Sequence, residues 1–323
     1  MFDCNDGYVA ERFVVDHDLD NLVVVLSHLD RDHIQGVLPF LKWYLTTWRP
    51  TETVPVHVQA DREMRGKALK RLRQTLGALR RWHEQGRVSL RGAVREDSPR
   101  TILEDPTTSA WAVDLLLPHH VQELDMHLKY PDAANRMSAA LRARCGPHSL
   151  LIGGDVPLVS WETLDTLPRV AVVRSPHHGG KIDEGGGTLS LEALYQGLGA
   201  EVVVHSVGTN NGHSHPRVDH LTASRRGGAC RVLCTQLTPR CDPRPLTQRA
   251  SALRNPARVV YPYRHRAAPG SAAHGGHRRR RETPCAGSIL VELSSSLPAV
   301  AVDPLPGDWH DAFVSTLYSA KCL

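Results

Sequence analysis

The stretch that decides the fold of this chain is Ser27-His28-Leu29-Asp30-Arg31-Asp32-His33, with Gly36 three residues further on. It directly follows an apolar run at residues 22–26, which predicts a short buried strand. A tight loop after a strand turns several side chains toward one point, and imidazoles with carboxylates are ligands that a hydrolytic metal needs. The alternative is a solvated loop in which Asp30 or Asp32 caps the next helix. Four potential ligands within six residues favour the metal site.

Two further motifs follow predicted strands. Gly154-Asp155 comes after residues 149–152, and a carboxylate at the end of a strand can bridge two metal ions. His177-His178-Gly179-Gly180 comes after residues 169–173. Adjacent histidines point in different directions, so we expect one of the pair to be a ligand and the other to meet substrate. Gly179 and Gly180 are expected to leave room for that substrate.

A fourth motif, at residues 208–216, stands between a predicted strand and a predicted helix. Backbone N–H groups at the start of a helix can face a phosphate. Asn211 and His215 lie in this loop, and we expect both to bind anionic oxygens of a substrate. His215 is also the candidate for a hydrogen bond to the leaving oxygen.

Strands and helices alternate along the rest of the chain. Strands are predicted at 13–15, 22–26, 54–58, 111–117, 137–142, 149–152, 169–173, 201–206, 231–235 and 288–293. Helical spacing of apolar residues is present at 34–43, 61–85, 161–167, 189–198 and 216–224. This order predicts an α/β (α+β) chain folded as an αββα sandwich of two sheets between helices. We expect a core at 1–235, an Arg/Pro-rich insertion at 236–286 that is a loop or disordered, and a last strand and tail at 287–323.

Composition sets broad limits on the 323 residues. Apolar residues make up 41% and charged residues 23%, which is typical of a globular chain. No apolar run approaches the ~20 residues needed to cross a bilayer, and no secretory signal pattern opens the chain. We therefore expect a cytoplasmic protein without membrane insertion. Seven cysteines is an odd number, which favours reduced thiols or metal ligands over a disulfide scaffold.

Charge and cysteine are concentrated late in the chain. The net charge is +5, but residues 240–284 hold eleven arginines against two acids, which leaves the remainder negative. The run at 277–281 could contact a phosphate backbone, or it could be a solvated linker. Four cysteines around this segment could form a structural zinc site, with His274 or His277 as a substitute ligand, or could be small buried hydrophobes and loop thiols. They are Cys230, Cys234, Cys241 and Cys285.

The order H-x-D-x-D-H, G-D, H-H-G and G-x-x-N-x-x-x-H-P resembles the metallo-β-lactamase superfamily. Within it, the sequence is most similar to the ComEC-type hydrolase domain of DNA-uptake competence proteins, whose first motif reads S/T-H-x-D-x-D-H-x-x-G. Residues 135–138 also resemble the N-x-x-S stretch of those domains. The resemblance covers about residues 1–235 and the last strand. Because the D-x-G-like stretch at 3–7 stands so near Met1, we expect a shortened N-terminal edge of the first sheet.

The resemblance implies a role for each motif residue. His28 and Asp30 would hold a first metal, Asp32 and His33 a second, and Asp155 would bridge them. His177 or His178 would complete the second site. Asp32 would orient or deprotonate the nucleophilic water. A histidine that many members supply before the G-D motif has no match here, and the carboxylate-rich set favours Mn²⁺ alongside Zn²⁺, with one or two ions bound.

The resemblance implies a metal-dependent hydrolase, above all a phosphodiesterase or nuclease acting on DNA. A lactonase, a thioesterase or a small phosphodiester hydrolase would use the same site, because one fold hosts many reactions. A third hypothesis is a non-catalytic subunit of a multi-protein system, with a protein partner from that system. An open basic groove would favour the nuclease, and a narrow apolar pocket would favour the second class.

Overall fold

The computed structural model describes most of the chain in separate segments. These are residues 1–58, 67–96, 98–120, 134–182, 187–208, 212–238, 240–241, 285–286, 288–295, 300–305, 310 and 314. The chain divides into two compact units. The first is Met1–Leu103, Asp114–Leu141 and Gly154–Val156, and the second is Glu104–Val113, Arg142–Gly153 and Pro157–Leu323. Most of the predicted insertion at 236–286, including the arginine run, lies outside the described residues.

The first unit contains a parallel three-stranded sheet in the order β1-β2-β3. Its strands are β1 (Val24–Leu26), β2 (Val54–Val58) and β3 (Val88–Gly92). Its helices are α1 (Gly7–Asp16), α2 (Arg31–Ile34), α3 (Val37–Trp43), a π-helical turn (Tyr44–Trp48) and α4 (Lys67–Glu84). All three residues of β1 are buried, as expected for a strand of a parallel sheet whose two faces are both covered. An isolated bridge joins Phe2 to Val25 beside this strand.

The prediction of a strand at 13–15 is wrong, because these residues lie in α1. Asp6 caps this helix, its Oδ1 accepting hydrogen bonds from the backbone N–H groups of Tyr8 and Val9. The apolar pair that suggested a strand is largely on the surface, with Phe13 40% and Val15 37% exposed. A local cap and an amphipathic pattern therefore outweigh the strand preference of a short Phe-Val-Val run.

A seven-stranded sheet has the order β10-β9-β8-β7-β6-β5-β4. The strands are β4 (Arg100–Glu104), β5 (Trp111–Leu117), β6 (Ala140–Cys145), β7 (His148–Ile152), β8 (Val172–Arg174), β9 (Val202–His205) and β10 (Arg231–Cys234). Strands β7 to β10 pair in parallel, as Leu150 with Val172 and Val172 with Val202 show. The carboxyl ends of these strands therefore share one edge of the sheet, where loops of α/β proteins carry functional residues.

The second unit also holds three helices and a small hairpin. The helices are α5 (Leu158–Trp161), α6 (Leu191–Leu198) and α7 (Val218–Arg226), and the hairpin pairs β11 (Ser288–Leu293) with β12 (Val300–Leu305). The predicted strand at 288–293 is thus confirmed, whereas β3, β4 and β12 were not predicted. The mixed α/β class is confirmed by this element order. Among the helices of the described residues, none is long and apolar enough to cross a bilayer.

Candidate metal centre

The loop after β1 brings the side chains of the H-x-D-x-D-H motif close together, as the spacing predicts. Asp30 stands at the N-terminus of α2, yet its side chain makes no capping hydrogen bond. Its Oδ2 lies 3.7 Å from His28 Nε2 instead. The nearby His28 imidazole holds the pKa of Asp30 below its ordinary value. The side chain of Asp30 therefore does not cap α2.

Three buried side chains of the first unit converge on one point. Asp155 Oδ2 lies 3.6 Å from His28 Nε2 and 3.4 Å from His33 Nε2. The two imidazole rings are 4.0 Å apart between centroids. None of the three residues is more than 5% exposed. Asp32 lies at the margin, 61% exposed, with its Oδ2 3.8 Å from His33 Nε2.

A shell of hydrogen bonds orients both imidazoles. His33 Nδ1 lies 2.7 Å from Asp3 Oδ2, and Ser27 donates to Asp3 through both its backbone N–H and its hydroxyl. Ser27 Oγ is also 3.0 Å from His28 Nδ1. Because the Nδ1 atoms of both rings are engaged, their Nε2 atoms are the ones presented to Asp155. Such outer hydrogen bonds fix the tautomer of a histidine that ligates a metal.

The charges of this cluster are mutually dependent. Burial alone would lower the pKa of His33, but hydrogen bonds with Asp155 and Asp3 raise it to about 10. Burial would likewise raise the pKa of Asp3, yet hydrogen bonds with His33 and Ser27 keep it below its ordinary value. The carboxylates of Asp3 and Asp155 therefore strongly favour a positive charge on the His33 imidazole between them.

The residues present fit a divalent metal ion. Ligand atoms about 2.1 Å from a tetrahedral ion are about 3.4 Å from one another, which is close to the 3.4 and 3.6 Å that separate Asp155 Oδ2 from the two Nε2 atoms. His28 Nε2 is buried and has no hydrogen bond within the part of the chain that the structure describes. A nitrogen with that burial needs a partner. Imidazoles with carboxylates suit both Zn²⁺ and Mn²⁺.

Gly154 and Ser138 place Asp155. Gly154 has a positive φ of 50°, and a Cβ there would lie 2.6 Å from Ser138 Oγ. The backbone N–H of Asp155 donates to the same Ser138 Oγ at 2.8 Å. The turn after β7 is thus one that glycine adopts without strain, and it packs directly on Ser138.

The two predicted histidines after β8 belong to the second unit. They lie in a short 3-10 turn, Pro176–Gly179, and both have positive φ, 49° for His177 and 55° for His178. His177 Nδ1 is 2.8 Å from the carbonyl oxygen of Lys181, and His178 Nδ1 is 2.7 Å from that of Ser206. The rings are therefore held in different directions. Which of them is a metal ligand stays a prediction.

Gly179 and Gly180 are packed against other histidines. A Cβ on Gly179 would lie 2.7 Å from His205 Nδ1, and one on Gly180 would lie 2.5 Å from His215 Cε1. The His215 ring also meets the His177 ring edge-on, with 5.6 Å between centroids. These contacts give both glycines a packing role, and their role in substrate binding stays a prediction. Asn211 lies outside the described residues.

The sequence reasoning missed the supporting residues of both regions. Asp3, Ser27 and Ser138 lay within motifs that were recognised, but no role was assigned to them. His205 is fully buried at the end of β9, with Ser175 Oγ 2.7 Å from its Nδ1. A polar residue at the end of an apolar strand was the available signal for His205.

Asp3 supports one testable prediction. Replacing Asp3 by asparagine is expected to weaken Zn²⁺ or Mn²⁺ binding by ~10–100-fold, because His33 loses the charged group that orients it and raises its basicity. Competition with a chromogenic chelator measures this affinity. Asp20→Asn, an exposed change in the same unit, is the control. Equal affinities in the two variants would contradict the role of Asp3.

No protein-family model matches the chain, and no curated protein matches its sequence. Similar solved structures include YhfI of Bacillus subtilis, a metallo-β-lactamase fold protein, with 14% identity, a TM-score of 0.42 and coverage of 72% of this chain and 82% of its own. Human tRNase Z, short form (ELAC1), has 10% identity, a TM-score of 0.37 and coverage of 74% and 82%. A diphosphatase of the PhnP family has 11% identity, a TM-score of 0.36 and coverage of 73% and 68%.

These identities and TM-scores are too low to assign an activity to this chain. The neighbours lend no support to the ComEC-type resemblance, which stays a prediction from the sequence motifs.

Proposed function

We propose that this chain is a metal-dependent hydrolase of the metallo-β-lactamase type. The observation that carries the proposal is the convergence of His28 Nε2, His33 Nε2 and Asp155 Oδ2, with separations of 3.4 and 3.6 Å. His28 follows the end of β1, Asp155 follows the end of β7, His33 lies in α2, and all three are buried. The other motif residues, Asp30 and Asp32, lie beside the same imidazoles.

The chain's own residues divide the work in this proposal. His28, His33, Asp155 and Asp30 would hold a divalent ion, Zn²⁺ or Mn²⁺. Such an ion polarises a phosphoryl or carbonyl oxygen and lowers the pKa of water toward neutrality. Asp32 is exposed to water, and its Oδ2 lies 3.8 Å from His33 Nε2. It would orient or deprotonate the nucleophilic water beside His33. His215 is the proposed donor to the leaving oxygen, with His177 or His178 as a further ligand.

We propose a phosphodiester, and DNA above all, as the substrate. This step rests on the sequence: the arginine-rich segment at 240–284 matches a polyanion. A protein partner and a cytoplasmic location stay predictions.

The test combines metal analysis with hydrolysis on one preparation. The protein is loaded with Zn²⁺ or Mn²⁺ and incubated with bis-p-nitrophenyl phosphate, with single- and double-stranded DNA, and with a lactone and a thioester. Metal-dependent cleavage of the phosphodiesters supports the proposal. Cleavage of only the lactone or the thioester would show that the substrate is not a phosphodiester. Bound metal without any hydrolysis would favour a non-catalytic subunit.

A further inference from the structure

Three buried cysteines and a buried histidine lie in the second unit, near the end of β10. Cys234 ends that strand and is 1% exposed, Cys241 is 2% exposed, and Cys285 is fully buried. His310 is 2% exposed, with its Nε2 3.7 Å from Cys285 Sγ. The three cysteines belong to one packed cluster, whose other members are Val207, Leu237 and Val314.

The backbone brings these residues together from separate parts of the chain. The N–H of Cys285 donates to the carbonyl oxygen of Thr235 at 3.2 Å, and the N–H of Ala286 donates to that of Cys234 at 2.9 Å. Residues 285–286 therefore run beside the end of β10. The N–H of Cys241 donates to the carbonyl oxygen of Thr238, which turns the chain back after the strand.

The predicted four-cysteine set changes in one member. Cys230 is exposed, and its Sγ donates to the carbonyl oxygen of Glu201 at 3.2 Å. It precedes β10, whereas Cys234 ends it, and four residues of strand span about 13 Å. That span is too long for Cys230 and Cys234 to bind one ion. His310, far away in sequence, stands beside Cys285 instead.

We infer that Cys234, Cys241, Cys285 and His310 form a structural zinc site. Thiolate and imidazole are the ligands of closed tetrahedral Zn²⁺ sites, at ~2.3 Å for sulfur and ~2.0–2.1 Å for nitrogen. Those bond lengths place ligand sulfur and nitrogen about 3.6 Å apart, against the 3.7 Å between Cys285 Sγ and His310 Nε2.

The site would cross-link separate segments of the second unit. Its ligands come from the end of β10, from the turn after it, from the strand-side segment before β11 and from a helical residue near the C-terminus. Cys241 and Cys285 bracket residues 242–284 in sequence. A single ion would therefore close that long segment at its base, and a cross-link that closes a long loop removes much entropy from the unfolded chain. With four protein ligands, such an ion would have no open position for substrate.

The test uses the full chain carrying Asp155→Asn, which disables the candidate hydrolytic site and leaves this one intact. Prepared under reducing conditions, the protein is expected to retain about one zinc per chain. Replacing zinc by Co²⁺ is expected to give thiolate-to-cobalt charge-transfer absorption in the near ultraviolet. Because this band reports sulfur ligands, it separates the inferred site from any His/Asp centre, whether or not the proposed hydrolase activity exists.

Variants assign the ligands. Cys285→Ser is expected to reduce zinc retention at least ~10-fold, His310→Cys to preserve it with a stronger thiolate band, and Cys230→Ser to leave it unchanged. Should Cys285→Ser fail to fold, the cobalt spectrum of the parent chain still decides. Absence of the thiolate band, equal loss of zinc in Cys230→Ser, or two thiols missing from a count in denaturant because of a disulfide would each overturn the inference.

Discussion

Asp155→Asn is expected to reduce metal-stimulated hydrolysis of bis-p-nitrophenyl phosphate to below ~1% of the wild-type kcat/KM. Asp155 Oδ2 faces both His28 Nε2 and His33 Nε2. Asparagine keeps the shape of the side chain and the backbone hydrogen bond to Ser138 but removes the negative charge. Metal catalysis supplies several kcal/mol, and ~2.7 kcal/mol corresponds to ~100-fold in rate.

Steady-state kinetics with Mn²⁺ and with Zn²⁺ measure this effect. Metal content and circular dichroism of the same samples show whether the variant is folded. Asp16→Asn is the matched control, because Asp16 is exposed and its ion pair with Arg12 joins two surface side chains one helical turn apart, an arrangement worth little energy. An Asp155→Asn enzyme with more than about a tenth of wild-type kcat/KM would contradict the proposed role of this carboxylate.

Gly36→Ala is expected to lower the free energy of unfolding by about 3 kcal/mol. The φ of Gly36 is −91°, so its backbone conformation is open to any residue. The cost is steric, because a Cβ there would lie 2.5 Å from the backbone nitrogen of Gly7 and 2.8 Å from that of Asp6. These are backbone atoms at the start of α1, and they cannot rotate away.

Gly77→Ala provides the control with the opposite sign. Gly77 lies inside α4, and the nearest atom to a Cβ there is Arg81 Nη1 at 3.7 Å. Alanine in a helix interior is more stable than glycine by ~0.5–1 kcal/mol. Urea unfolding of both variants measures the difference. If Gly36→Ala changed stability by less than about 0.5 kcal/mol, the close contact with Gly7 would not limit the fold.

The candidate ligands could be predicted because their signals are local. The H-x-D-x-D-H motif comes directly after a buried strand, and the turn into α2 is enough to bring its side chains together. The pairing of His33 with Asp3 could not be predicted, since it joins positions 30 residues apart and the D-x-G-like stretch does not indicate which side chain Asp3 contacts. His310 was missed for the same reason, because only tertiary packing brings it to Cys285.

The wrong strand at 13–15 shows the opposite failure. Three apolar residues fit a strand and a helix equally well, and length and caps must decide between the two. Asp6, the residue that decides, stands seven positions before Phe13. In contrast, the strands β7 to β10 were predicted because Gly or polar residues end each apolar run, as at Gly153 and Gly208.

The interleaving of the two units has a consequence for synthesis on the ribosome. The first unit takes its chain from three stretches, and the last of these is only Gly154–Val156. Asp155 is therefore synthesised after residues 142–153, which belong to the second unit. A nascent chain ending before this point carries both imidazoles without their shared carboxylate. No single cut of the gene separates the two units. A fragment such as 1–103 would contain His28 and His33 but lack Asp155, so it could not be used to study the complete centre.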